Sequence, residues 1–301
     1  MERPIEHLQP TSWAEALALR AERPDARPVA GGTDVMVELN FGRTRPPALL
    51  DLSRVPQLTG WERGDGVIRL GAAEPYSRIV SALSGPLPGL AAASRTVGSP
   101  QIRNRGSVGG NLGSASPAGD AHPPLLACGA SVEVASVRGS RLIPVEDFFT
   151  GVKRNALDPD ELIGAVHVPV ARGPQQFAKI GTRNAMVIAV CSFGVAIDLE
   201  EETVGTGVGS AAPTPRRAGA AERFITGELA AAGLWHTRAP LPESLARKFG
   251  ALVASAAVPI DDVRGTAAYR THALAVIARR TLTWAWNDLR KETRGCGCHA
   301  M

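Results

Sequence analysis

Apolar and polar positions change rhythm several times along this chain, and each change marks an element. Thr11 and Ser12 form an N-cap pair ahead of Trp13-Ala14-Glu15-Ala16-Leu17-Ala18-Leu19, which predicts a first short helix ended by Pro24. Glu15, three residues after Ser12, completes a capping box. Arg27 to Ala30 reads as a brief strand and Val35 to Leu39 as the first turns of a helix, with Gly31-Gly32-Thr33-Asp34 between them. Ala48 to Leu52 and Val67 to Leu70 read as strands, with a polar hairpin around Arg63 to Gly66 between them. Short helices are predicted over Ser77 to Leu83, Leu90 to Arg95 and Pro123 to Ala130, and strands over Val132 to Val134, Leu142 to Val145 and Glu161 to Pro169. His167 has apolar neighbours and reads as a satisfied strand histidine rather than a ligand.

Ala171-Arg172-Gly173-Pro174 is the candidate linker, and beyond it the texture changes. Phe177 to Gly181, Val187 to Leu199 and Thr203 to Ser210 predict three antiparallel strands, the middle one nearly all apolar and hence buried. Helices follow over Arg217 to Leu229, Glu243 to Ala257, and Thr266 to about Arg290. In the last, Leu274, Ile277, Ala278, Thr281, Leu282, Ala285 and Leu289 share one face, and Trp284 and Trp286 read as packing residues. The acid run Asp198 to Glu202 reads as a solvated turn. A length of 301 residues suits about two domains. The predicted boundaries are 1–170, in two parts of about 1–55 and about 56–170, then 173–290, with 291–301 as a flexible tail. A three-stranded sheet followed by helices makes the second an α+β domain separate from the first.

One stretch fits none of these rhythms. Thr96 to Asp120 holds six glycines (Gly98, Gly106, Gly109, Gly110, Gly113, Gly119) and four serines, with almost no apolar bulk. Glycines let the backbone turn through positive φ and let another molecule approach the main chain. Ser107, Ser114, Ser116 and Asn111 add donors and acceptors, and Asp120 ends the run with a carboxylate. Read alone, the segment suits a long surface loop as well as a wall of backbone N–H groups for a phosphate. The upstream order of strand, Gly31-Gly32, polar cap and helix, as at a helix end that receives an anion, tips the balance to the phosphate. It is neither a Gly-x-Gly-x-x-Gly fingerprint nor a P-loop.

Composition narrows the class further. A net charge of +4 is spread without basic runs or interleaved aromatics, which disfavours nucleic acid. The longest apolar run, Ala185 to Leu199, is broken by Ser192 and Asp198 and is too short to span a bilayer. The charged start MERPIEHLQP is no signal peptide, and Cys128 and Cys191 in apolar stretches make no secreted disulfide framework. These features predict a cytoplasmic protein. Cys296, Cys298 and His299 place soft ligands together in the tail, but two or three ligands do not close a site, so no metal is assigned.

Together, Val29-Ala30-Gly31-Gly32-Thr33-Asp34, Gly98 to Asn104, Ser107-Val108-Gly109-Gly110-Asn111 and Ser116-Pro117-Ala118-Gly119-Asp120 resemble the FAD-binding medium subunit of molybdenum hydroxylases. Those enzymes are of the xanthine dehydrogenase and carbon monoxide dehydrogenase type. The resemblance continues through Lys179 to Arg183 and Gly209 to Pro215 to Arg264-Gly265-Thr266-Ala267-Ala268-Tyr269-Arg270, and is strongest to the flavin subunit of bacterial three-subunit xanthine dehydrogenases. It implies a two-part FAD-binding domain of the vanillyl-alcohol oxidase type, then the smaller domain, in an α+β chain. In the family the first glycine loop holds the pyrophosphate, which implicates Val29, Ala30, Gly31, Gly32, Thr33, Asp34 and Val35. Ser107, Gly109, Gly110 and Asn111 fall on the loop that holds phosphate and ribityl groups, and Asp120 on the FAD-contacting acid. Ile163, through its backbone, and Lys179 fall on two further contacts. Val97 stands where the animal enzymes place an aromatic beside the isoalloxazine, and a valine cannot stack as a ring does.

The resemblance also implies a division of labour. Substrate hydroxylation occurs at a molybdopterin centre on a large subunit, and two [2Fe–2S] clusters on a small subunit pass electrons to this FAD. NAD⁺ is the implied acceptor, with a quinone or dioxygen left open. Purine is the implied substrate, with aldehydes, N-heterocycles and carbon monoxide left open, and a dimer of heterotrimers is the implied assembly. No catalytic side chain is expected on this chain, and its dispersed cysteines are not expected to hold a cluster. A free-standing flavin oxidoreductase of the same fold needs an acid or base facing the flavin, and no residue offers itself. A flavin-free structural adaptor gains nothing from glycine loops kept intact.

Overall fold

The computed structural model describes residues 4–295, so Cys296, Cys298 and His299 lie outside the described residues. The first helix, Trp13–Glu22, starts as the capping residues dictate: Ser12 Oγ accepts from the Glu15 amide at 3.2 Å. Glu15 reaches one residue further back than a capping box requires and accepts from the Thr11 amide at 2.7 Å. That helix covers a small parallel sheet in the order Glu6–Leu8, Ala48–Asp51, Arg27–Val29, with Ala48 and Leu50 fully buried in its middle strand.

The Ala48–Asp51 strand therefore does not share a sheet with Val67–Gly71, as the polar hairpin suggested. The hairpin partner is Trp61–Gly64, an exposed edge strand with too little apolar content to register as one. Both belong to a five-stranded antiparallel sheet in the order Trp61–Gly64, Val67–Gly71, Leu162–Pro169, Ser131–Ser136, Gly139–Pro144. Its central strand is the one that closes this half of the sequence, and a bulge between Ile163 and Ala165 bends it. His167 is satisfied there: Nε2 lies 2.7 Å from Glu133 Oε2, and Arg69 donates to the same carboxylate.

The second unit is built on an antiparallel sheet of Gln175–Ile180, Cys191–Asp198 and Thr203–Gly209, with the apolar strand central. Val187 to Val190 lie outside that strand, contrary to the sequence reading, with Ala189 and Val190 bonded to Ser210 and Ile180 of the same unit. The helices Gly219–Ala231, Glu243–Ser255 and Ala267–Gly295 cover the sheet. The predicted face of the last helix, Leu274 to Leu289, is buried. That helix runs on to Gly295, five residues into the expected tail. Trp286 is buried, stacks edge-on against Trp235 and donates to Ala239 O at 2.9 Å, whereas Trp284 is 47% exposed and is not a packing residue.

Two hydrophobic cores result, one within residues 16–168 and one within 191–289. The helix His122–Ala127, buried at every position, lies on the second sheet. It sits so close because Gly205, Gly207 and Gly209 recur every second residue along one strand, and Gly194 stands opposite Gly207. A methyl on Gly207 would lie 2.0 Å from Pro123 O, and one on Gly205 2.0 Å from Ala127 O. Backbone thus meets backbone across the seam. Gly207→Ala is expected to lower the free energy of unfolding by about 1–3 kcal/mol, because neither wall is a side chain that can swing away. Gly227→Ala, exposed within Gly219–Ala231 with nothing nearby, is expected to raise it by about 0.5–1 kcal/mol. Equilibrium urea unfolding of the two variants measures both.

Candidate cofactor site

The strand Arg27–Val29 delivers the chain into the first glycine loop, where Gly32 takes φ +74°, a conformation that suits glycine. The helix that follows, Val35–Asn40, is only six residues long, with no side-chain cap at Asp34. Within the described residues the N–H groups of Gly31, Gly32, Thr33, Asp34 and Val35 meet no protein acceptor. These loop amides, rather than a helix dipole, are the donors on offer. A methyl on Gly31 would lie 1.9 Å from Arg105 O, so this loop and the second glycine segment touch main chain to main chain.

The second segment is more ordered than its composition suggests. It forms two short helices, Pro100–Arg103 behind Ser99 and Val108–Ser114 behind Ser107, each capped by the serine hydroxyl. Two of its amides are consequently spent: Gly109 donates to Ala72 O at 3.0 Å and Gly110 to Ser107 Oγ at 3.1 Å. The segment is therefore not the continuous surface of N–H donors that its glycines suggest. Gly109 is required for packing, since a methyl there would stand 2.5 Å from Ala72. Gly110 is exposed, and an added methyl would meet only Ser107 Oγ within 4 Å.

Between the two segments lies a cavity of about 590 Å³, within the ~300–1,000 Å³ of small-molecule sites. Val29, Ala30, Gly31, Gly32, Thr33, Asp34 and Val35 line it, as do Val97, Ser107, Gly109, Gly110, Asn111, Asp120 and Ile163. Lys179 is not on its surface. It stands behind Asp120, its Nζ 2.6 Å from Asp120 Oδ2 and donating also to Thr96 O at 3.0 Å. Thr96 Oγ1 donates to the same carboxylate oxygen at 3.1 Å. Both charged side chains are more than nine-tenths buried. Burial raises the Asp120 pKa, and Lys179 and Thr96 pull it back. Among the described residues, Asp120 Oδ1 and Asn111 Oδ1 are buried without a partner. His122, held near pKa 4 by burial and so neutral, has Nε2 3.2 Å from Asn111 O, which props that turn of helix.

Sequence reasoning passed over several lining residues. Tyr76 falls just ahead of the short helix predicted from Ser77, Met186 just ahead of the strand predicted from Val187, and Val187 and Ile188 read only as part of that strand. Met186-Val187-Ile188 belong to a strap whose base is tied by Val190 N to Ile180 O at 2.7 Å. Arg270, the last residue of the Arg264 to Arg270 motif, is buried and donates to Val190 O at 2.9 Å and Ser210 O at 2.8 Å. That motif anchors the strap and lies away from the cavity lining.

Residues 3–171 match the family model of the FAD binding domain in molybdopterin dehydrogenase. The chain belongs to that family. Residues 176–285 match the CO dehydrogenase flavoprotein C-terminal domain. The nicotinate dehydrogenase FAD-subunit of Eubacterium barkeri is 33% identical over 67% of this chain and 71% of its own. The xanthine dehydrogenase FAD-binding subunit of Escherichia coli O157:H7 is 28% identical over 90% and 92%. The carbon monoxide dehydrogenase medium chain of Afipia carboxidovorans is 30% identical over 92% and 95%. A solved chain of reconstituted CO dehydrogenase from Oligotropha carboxidovorans superposes with TM-score 0.85 at 26% identity, covering 95% of this chain and 99% of that one. The expected α+β architecture, a FAD-binding unit and then a three-stranded sheet with helices, holds.

The chain is thus an FAD-binding oxidoreductase subunit of this family. Its residues fit FAD on their own terms: free loop amides suit a pyrophosphate, a buried unpartnered carboxylate oxygen suits a hydroxyl, and Gly110 leaves room for both. Lys179→Met leaves a buried carboxylate without its cation, with an expected loss of about 3–5 kcal/mol of stability near neutral pH. Burial holds the Asp120 pKa above its unfolded value, so the folded chain takes up that proton first as pH falls. The loss therefore shrinks on acidification through the raised carboxylate range, and pairing Lys179→Met with Asp120→Asn removes most of it at every pH. Urea unfolding at stepped pH measures this.

Proposed function

We propose that this chain is the flavin-carrying electron-transfer subunit of a cytoplasmic molybdenum hydroxylase made of three kinds of subunit. One observation carries the reading: the free amides of Gly31 to Val35 and the buried carboxylate of Asp120 converge from distant segments on one cavity. Val29, Ala30, Gly31, Gly32, Thr33, Asp34 and Val35 receive the pyrophosphate through main-chain donors, which spreads the charge without a lysine cluster. Ser107, Gly109, Gly110 and Asn111 border the phosphate and ribityl groups, the glycines by allowing close approach and the side chains by hydrogen bonding. Asp120 accepts from ribityl hydroxyls, and Lys179 acts through it by fixing its charge and its rotamer. Ile163 contributes backbone, and Val97 borders the ring without stacking on it. The chain divides near residues 170–173.

When bound, FAD supplies the redox chemistry, and the protein orients it and sets its surroundings. A large molybdopterin subunit performs the hydroxylation, and a small subunit with two [2Fe–2S] clusters delivers the electrons, in a dimer of heterotrimers. NAD⁺ is the acceptor. Purine is the substrate, a reading supported by the similarity to the xanthine dehydrogenase subunit of Escherichia coli O157:H7. The 33% identity with the nicotinate dehydrogenase FAD-subunit supports a second reading, a pyridine carboxylate.

The purified chain is expected to be yellow and to release one FAD on denaturation; a colourless protein that ignores added FAD removes the reading. Gly110→Val is expected to abolish flavin retention while circular dichroism and the urea midpoint stay close to wild type, because valine propagates a helix better than glycine. Affinity purification from the native host is expected to recover the molybdopterin and iron–sulfur subunits, with NAD⁺ reduction on xanthine. Turnover on nicotinate alone decides for the second reading.

A further inference from the structure

Tyr76 is built into the junction of the two glycine segments. Its amide donates to Gly106 O at 3.0 Å, and Pro75 and Ser107 form an isolated antiparallel bridge beside it. A methyl placed on Gly106 would lie 3.5 Å from Tyr76 Cδ2 and 3.6 Å from Thr33 Oγ1, so the ring sits under the point where the loops meet. The side chain lines the cavity and is only 2% exposed, yet its hydroxyl has no hydrogen-bond partner among the described residues. A buried hydroxyl left unpaired carries a desolvation penalty that phenylalanine, of the same shape, would not. Burial pushes the phenol pKa well up, and the carboxylates of Asp120 and Asp34 push it further, so the group is a protonated donor. It is closed off from bulk solvent. A ligand entering the cavity can supply the missing acceptor where the wall yields to admit it.

We propose that the Tyr76 hydroxyl donates a hydrogen bond to a pyrophosphate oxygen of bound FAD. The inference rests on the flavin reading above. The pyrophosphate is chosen over the ribityl chain because Thr33, which flanks Gly106 together with the Tyr76 ring, belongs to the loop whose amides are free. Tyr76 is in this view a cofactor-binding residue that helps lock the two segments together once the anion is present.

The test is Tyr76→Phe in the full chain, with two readouts on the deflavinated protein: affinity for FAD and for ADP by titration, and the urea midpoint without ligand. Loss of a hydrogen bond to a charged oxygen is expected to weaken FAD and ADP by the same factor, about tenfold or more. The ligand-free midpoint is expected to stay the same or rise, since the variant removes an unpaired buried group. Equal FAD affinity in variant and wild type overturns the inference alone, as does a loss seen with FAD but not with ADP. A fall in the ligand-free midpoint matching the lost affinity assigns Tyr76 a structural role and also overturns it. A wild-type chain that takes up no FAD overturns the flavin reading and this inference together.

Discussion

Where Gly31 passes Arg105, the main chain of one segment lies against the carbonyl of another more than seventy residues away, with no room for a side-chain atom between them. The site depends on that contact. It brings a loop whose amides are unspent to a wall whose amides are largely spent, and the wall supplies capped helices, hydroxyls and a carboxylate instead. The two sides are chemically unlike and complementary. One presents fixed dipoles, which cost nothing to reorganise when an anion arrives; the other presents side chains held by their own caps and packing.

The wall is itself held from behind. Asp120 is stationed by Lys179, which lies on the Gln175–Ile180 strand of the second sheet, and the next helix, His122–Ala127, is pressed into that glycine-lined sheet. A buried ion pair of this kind is no strong source of stability, because desolvation consumes most of the attraction. Its effect here is positional: it keeps one carboxylate oxygen engaged and leaves the other turned from any protein donor. The strap of Met186-Val187-Ile188 adds a second contribution from beyond the FAD-binding segment, secured at its base by Arg270.

Much of this was legible in the sequence. The Ser12 cap, the apolar face of the last helix and the buried central strand of the second sheet all follow from spacing alone, because each element buries a regular stripe. The glycine loops were legible as a pair. Their roles were not, since composition cannot distinguish a glycine that faces a ligand, such as Gly110, from one that faces Ala72, such as Gly109. The two short helices between Thr96 and Asp120 were hidden by low helix propensity, although Ser99-Pro100 and Ser107 are cap signals that a stricter reading would have caught. The edge strands Glu6–Leu8 and Trp61–Gly64 bury too little to show a period. Lys179 could be assigned to the site by resemblance, but only the folded structure shows that Asp120 stands between it and the cavity.

The glycine-lined seam bears on how such chains can be recombined. Because main chain meets main chain there, the fit tolerates almost no variation in backbone path on either side. Grafting the C-terminal half of one relative onto the N-terminal half of another would ask two independently drifted surfaces to mate without side chains to absorb the mismatch. A chimera with its crossover at the linker would also have to inherit a lysine that finds Asp120. The seam makes the halves co-inherited partners, and it predicts that natural exchange of the C-terminal unit alone is rare.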